Sequence, residues 1–484
     1  MIQKSDLLEN KTYNSLIIVI LFLINLSFKL INLTYEPIWY DECFSIFYSQ
    51  GTVDDILFVS TWDINPPFFN LFLHPWVKFF GTSELSMRMV PAILSSLTGV
   101  ALYLFLKKYI NVRTAITASV LYLFSNISFY YAHEVRGYTL ILFVSILSIW
   151  LFIKMLEKPG YIASVALGLT YYILIMTHYL TFFILLAQGI LFLIFFNRTL
   201  LKFYLIAVAS FTLLFWHWMP RVVEIISGGS KHWLKSPDLN NLFDFIFSIS
   251  NGKLQLIILC VLACTGIIAI IIKKEQFFHN KVIKAIVIYS ILISFVTVLL
   301  NYIISSTIPI FLDRYLLFSL PGFIILYAVF ISRIPLNNFF YYSLLTFVGI
   351  YAFSQVSING PTTKMDYRSA VNYVKYEQDS ASVVFIQTID VGALFTYYYD
   401  KEIFKNYSNI ENLLKEKMVF MGNDSTKVPS FNDSLYTKII HVETFSEFSD
   451  PNKTVIAWFD KNNYVKTKVK EDYVGVKVTT YQKK

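Results

Sequence analysis

Eleven stretches of this chain are apolar for about the 20 residues that a helix needs to cross a bilayer, and nothing else in the sequence constrains the fold as tightly. They run over 14–32, 86–106, 113–131, 138–156, 161–177, 179–196, 201–219, 254–272, 282–304, 315–331 and 339–356. In lipid, every backbone N–H and C=O must be satisfied within its own segment, so stretches of this kind fold as helices. The composition agrees. Charged residues make up 15% of the 484, well below the quarter or so usual for soluble domains, and mean hydropathy is +0.56. Aromatic residues reach 18%, enough for interfacial belts as well as spans. The expected class is a polytopic α-helical membrane protein with about eleven transmembrane helices. Lys4 and Lys11 precede the first apolar stretch, as in a signal peptide. That stretch carries Asn25 and Lys29 and lacks a small-x-small cleavage site, so it reads as an uncleaved first span.

Basic residues set the expected orientation. An N-terminus inside places fourteen Lys and Arg in the inner loops, among them Lys107, Lys108, Lys273, Lys274 and Arg333, against seven in the opposite loops between spans. The first outer loop (33–85), the loop 220–253 and everything after 357 are then extracytoplasmic. Beyond Gly360-Pro361 the apolar runs shorten to strand length at 382–387, 418–421, 439–442, 454–459 and 473–480. Helical patterns lie between them at 367–377 and 391–398. The chain therefore divides into a membrane module, 1–356, and a small extracytoplasmic α/β domain, 357–484. Segments 402–416 and 422–436 are rich in Asn, Ser and Lys and suggest no definite element.

Three cysteines give no disulfide framework. The net charge of +8 comes from basic residues scattered between apolar runs, not striped on one face. That excludes nucleic acid and points to membrane lipids and a phosphorylated lipid.

Segment 36–67 is polar and lies against the membrane, which is costly unless it has work to do. It carries the adjacent acids Asp41 and Glu42, then Asp63 ahead of Pro66-Pro67. A carboxylate here can act as a general base on an acceptor hydroxyl, and a second acid nearby raises the pKa of the pair. The plain alternative is a helix cap or a solvated loop. Other polar groups gather at helix ends on the same outer side. His133, Glu134, Arg136 and Tyr138 sit at one junction, and Arg136 can hold a phosphate through paired hydrogen bonds. His178 and Tyr179 sit at a second, and Arg314 and Tyr315 at a third beside Asp313. Capping and snorkelling are the structural readings of all three. Arg221, Glu224, Lys231, His232, Trp233 and Lys235 form a basic and aromatic cluster fit to cover a lipid headgroup. A divalent metal is conceivable among Asp41, Glu42, Asp63, His74 and His133, but no strong ligand spacing occurs. There is no Walker A sequence and no GxGxxG, so a nucleotide-driven reaction has no visible support.

In order and spacing, these pieces resemble membrane glycosyltransferases of the GT-C fold that use polyprenyl-phosphate sugars. Those are the protein O-mannosyltransferase-like, aminoarabinose transferase-like and RgtA/B/C/D-like enzymes. The resemblance covers roughly residues 14–375. It rests on Asp41-Glu42 in the first outer loop, Asp63 to Pro67, Arg136-Gly137-Tyr138, Thr177-His178-Tyr179 and Arg314-Tyr315-Leu316. A membrane-exit Asp-Trp-Arg stands here as Asp366-Tyr367-Arg368. The resemblance implies an inverting transfer from a polyprenyl-phosphate donor to a lipid, glycan or protein acceptor, with Asp41 as base. Arg136 and Arg314 would then stabilise the departing phosphate. The competing reading is a transporter or flippase of a lipid-linked or anionic substrate. Such proteins place charge at the bilayer midplane on broken helices, whereas here it gathers at helix ends.

Overall fold

The structure, a computed structural model, describes residues 11–61, 63, 65–227, 235–274, 276–358, 364–388, 391–406, 408–428 and 437–484. The chain forms two compact units. The first comprises Met1–Ile31, Ser60–Phe69 and Arg88–Ile358, and the second Asn32–Val59, Asn70–Met87 and Asn359–Lys484.

The first unit is helical, and the eleven apolar stretches are mostly helix, although 113–131 breaks at Phe124-Ser125 into Val112–Leu123 and Asn126–Tyr131. Among the described residues, six helices are long and apolar enough to cross a bilayer, and five shorter ones have 10–17 residues. Asparagines start several of them. Asn111, Asn197 and Asn337 each accept a hydrogen bond from a backbone N–H of the first turn, at 2.8, 2.8 and 3.0 Å. One short helix, Leu239–Ile249, falls within the predicted loop 220–253. Asp238 caps it, and Phe245 and Ile249, four residues apart, are its buried face.

Lipid supplies no hydrophobic drive between helices, so close approach and polar links hold them. A Cβ on Gly266 would lie 1.9 Å from the Phe330 carbonyl oxygen, so Lys253–Ile272 meets Leu320–Ile331 backbone to backbone. The Tyr171 hydroxyl donates to Gln188 at 2.7 Å, and the Gln188 amide donates to Ser148 at 2.9 Å, which ties three helices together.

The second unit is built on a five-stranded sheet. Its strands are β1 (Ser382–Gln387), β2 (Val419–Gly422), β3 (Lys438–Glu443), β4 (Tyr464–Tyr473) and β5 (Val476–Lys483), in the order β2-β1-β3-β5-β4. β1 runs parallel to β2 and β3, with Phe385 opposite Phe420 and His441. β5 is antiparallel to both β3 and β4. Every residue of β1 is buried, as befits a central strand covered on both faces. Phe385, Ile439, Val455, Phe459, Tyr464 and Tyr481 make one hydrophobic core.

Two strand expectations need correction. Residues 454–459 lie in a helix, Thr454–Lys461. Its buried residues, Val455 and Phe459, are four apart, which is helical and not strand spacing. The edge strand β4 (YVKTKVKEDY) has no apolar run to announce it, because it is mostly exposed and its lysines guard the edge. Segment 402–416 holds two short helices, Lys401–Lys405 and Ile410–Glu416. Most of 422–436 lies outside the described residues.

This sheet unit also takes in much of the segment between the first two apolar stretches, as Asn32–Val59 and Asn70–Met87. The helices Tyr40–Tyr48 and Val53–Val59 belong to it, as does the end of Phe68–Phe80 from Asn70 onward.

Candidate active site

Asp41 and Glu42 occupy the first turn of Tyr40–Tyr48, where the helix dipole favours carboxylates. Neighbouring residues on a helix do not face each other, and the two acids have different surroundings. Asp41 is half-buried. Glu42 is fully buried; its Oε2 accepts from the Trp39 N–H at 3.4 Å and lies 3.3 Å from Lys364 Nζ. Lys364 also reaches Glu36, at 3.6 Å.

Further contacts within this unit fix the approach to the helix. Arg368 pairs with Glu84 and donates to the carbonyls of Thr34, Tyr35 and Glu36 at 3.0, 3.3 and 3.1 Å. The Tyr398 hydroxyl accepts from the Ile38 N–H at 2.6 Å and donates to Glu84 at 2.8 Å. At the other end of the helix, Gln50 donates to the Phe404 carbonyl, and Phe47 meets the Phe404 ring.

The remaining candidates belong to the first unit, and His178 is central among them. It links Tyr161–Thr177 to the tight turn Tyr179–Thr181 in extended conformation. Its Nδ1 accepts from the Leu180 N–H at 3.2 Å, so the proton of the neutral ring sits on Nε2. Burial, together with the charges of Arg136 and Arg314, pushes its pKa down to about 3. Tyr315 lies against the ring, with centroids 4.8 Å apart, and the Arg314 guanidinium lies over Tyr315. Gly137 explains how the first junction comes so close to the second. A Cβ there would stand 2.6 Å from the Thr177 side-chain methyl.

The cluster continues through Tyr179. Its hydroxyl accepts from the Trp218 indole at 2.9 Å, and Arg221 and Asp63 both lie within electrostatic reach. Arg221 donates to the Asp63 carbonyl at 3.4 Å and pairs with Glu224 at 2.8 Å. Asn65 donates to the Asp63 carboxylate at 3.3 Å.

The other predicted residues at the first junction help to build it. His133 Nε2 bonds the Lys29 carbonyl at 2.7 Å, and its ring meets Phe129. Tyr138 is buried edge-on to Tyr131, and Glu134 is buried. Among the described residues, no group of three or more His, Cys, Asp or Glu side chains is arranged to hold a metal ion. His74, one of the metal candidates, is spent on the Ser49 carbonyl at 3.0 Å.

Chemically, the first-unit cluster brings the charges of Arg136 and Arg314 to bear on a neutral imidazole N–H donor. That arrangement suits a doubly charged phosphate oxygen group, and the uncharged His does not compete for it. Two contributors were not legible as such. Arg221 read as part of a loop cluster whose Lys231, His232 and Trp233 lie outside the described residues. Lys364 carried no signal at all, being one of 40 basic residues.

Residues 64–219 match a family described as dolichyl-phosphate-mannose-protein mannosyltransferase. No curated protein matches the sequence. The fold is that of ArnT from Cupriavidus metallidurans in the apo state. The two chains superpose with a TM-score of 0.62 at 13% identity, over 96% of this chain and 98% of that one. The same protein bound to undecaprenyl phosphate gives a TM-score of 0.58 at 13% identity, over 96% and 97%. The fold is thus the GT-C type, with a small C-terminal sheet.

Proposed function

We propose that this protein is an inverting membrane glycosyltransferase. It moves a sugar from a polyprenyl-phosphate donor to a cell-envelope acceptor (a glycolipid, a glycan or a protein) on the extracytoplasmic face. The observation that carries the reading is the gathering of Arg136, Arg314 and a neutral His178 at helix ends, within a chain of GT-C fold. The family match over 64–219 includes Arg136 and His178 and supports the same donor chemistry. The Cupriavidus relative is described with undecaprenyl phosphate bound, and a phosphate on an isoprenoid tail is the ligand that such a cation pair suits.

In this reaction the acceptor hydroxyl attacks the anomeric carbon. Its O–H bond breaks as the Asp41 carboxylate takes the proton, and a new C–O glycosidic bond forms. The bond from the anomeric carbon to the phosphate oxygen breaks, and polyprenyl phosphate leaves as an anion. A phosphate leaving group needs charge stabilisation more than protonation, and Arg136 and Arg314 supply it. The His178 Nε2–H orients the headgroup, and Asp63 and Tyr179 border it. Glu42 serves by position. The protein sits in the cell membrane with its N-terminus inside, an orientation that the excess of basic residues in its inner loops supports.

Transfer by the purified protein from a synthetic polyprenyl-phosphate sugar tests this directly, with cell-surface glycolipids from a deletion strain compared by mass spectrometry. Asp41→Asn is expected to insert normally and to lose transfer. Full activity in that variant refutes Asp41 as the base.

A further inference from the structure

We infer that Lys364 is a positioning residue for the transfer step: through Glu42 it sets the orientation of the helix that presents Asp41. The C-terminal domain is thereby part of the catalytic apparatus. This role rests on the transferase reading above.

Glu42 is a carboxylate with no exposed surface, and Lys364 is an ammonium with 3%. Ions this deeply buried are stable only when matched and hydrogen-bonded, so the pair has little freedom to rearrange. Lys364 also draws in Glu36, so one cation grips the chain both before and inside the first turn of Tyr40–Tyr48. Glu42 closes that turn by accepting from the Trp39 N–H.

Arg368 and Tyr398 fix the strand that enters the helix, at Thr34, Tyr35, Glu36 and Ile38. The buried face of the helix, with Cys43 and Ile46, and the Phe47–Phe404 contact hold it from the side. The Glu42–Lys364 pair adds a charged anchor at its first turn, next to Asp41. Adjacent helical positions project about 100° apart, three and a half or so to the turn, so a fixed Glu42 fixes where the Asp41 carboxylate points.

The test uses the full-length protein in lipid nanodiscs, with a purified polyprenyl-phosphate sugar and saturating acceptor. Lys364→Met is expected to lower kcat on the order of 100-fold, the effect of displacing a reacting group by about 1 Å, with donor KM unchanged. Lys364→Arg keeps the charge and restores most of kcat. Lys364→Met combined with Glu42→Gln removes the stranded buried charge. It is expected to melt like wild type and still turn over slowly, which separates positioning from folding. Wild-type kcat in the folded double variant overturns the inference, since the pair would then only neutralise itself. A fall in kcat matched by a rise in donor KM overturns it too. Wild-type protein inert with every donor overturns the transferase reading itself, and that failure is separable from full turnover in the double variant.

Discussion

Gly137→Ala tests how tightly the Arg136 and His178 junctions depend on each other. The new methyl would stand 2.6 Å from Thr177 Cγ2, about 0.8 Å short of ordinary contact, with the Phe69 Cβ at 3.5 Å leaving little room to turn aside. Forcing one methyl into a packed site costs about 1–3 kcal/mol. The junction can relieve the clash only by moving Arg136, His178 or both. Misplacement of that size costs up to about 100-fold in rate. Thr177→Ser removes the offending methyl and keeps the hydroxyl that bonds the Ile173 carbonyl at 2.7 Å. The expected pattern is near-normal transfer for Thr177→Ser, a fall of about 10- to 100-fold for Gly137→Ala, and recovery of most of it in the double variant. The coupling energy should be at least about 1 kcal/mol. Steady-state transfer from a polyprenyl-phosphate sugar in nanodiscs measures it. Wild-type kinetics in Gly137→Ala, or a double variant no better than the single, would refute the claim that the two junctions are held in register by this contact.

Arg136→Ala and Arg314→Ala should each lower kcat/KM for the donor by about tenfold or more, the cost of losing a charge-assisted hydrogen bond. Donor titrations check this, and unchanged kcat/KM would leave both as helix caps. His441 gives a pH prediction for the sheet domain. Burial first, then the Lys477 charge, lowers its pKa to about 3 from 6.5. The unfolded chain therefore takes up a proton below pH 6.5 that the folded chain refuses, and stability falls as pH drops. The slope from this one group is about 1.4 kcal/mol per pH unit between 6.5 and 3. His441→Gln retains a donor for Gln387, which His441 bonds at 2.8 Å. It should flatten the acid side of a thermal-melt series, and an identical pH dependence would sink the assignment.

The helices of the first unit were legible because lipid forces length and apolarity together, and the eleven stretches are mostly helix, with a break at Phe124-Ser125 that the apolar run does not show. The sheet domain was legible where burial was deep. β1, buried throughout, fell where its apolar run ended and began. It was misread at 454–459, where a short apolar run carries no period long enough to separate helix from strand. Arg136, His178 and Arg314 were readable as polar groups at helix ends, since position along a span is itself information. Glu42 read as an acid acting beside Asp41. Its partner, Lys364, was invisible because a single lysine in a connecting stretch looks like a solvated charge. Only tertiary structure shows that 322 residues of separation end in a buried pair.

That separation has a consequence for biosynthesis. The helix bearing Asp41 emerges early and cannot reach its anchor until Lys364 has been made. At about 5–20 residues per second the wait is roughly 15–65 s, long on the scale of local folding. The loop must pass that interval outside its own unit, with its apolar and acidic groups unmatched. A chain that stalls in any later span therefore carries the base without its support. Full activity then waits until Lys364, beyond the last apolar stretch at 339–356, has been made, and unfinished copies in the membrane turn over slowly at best.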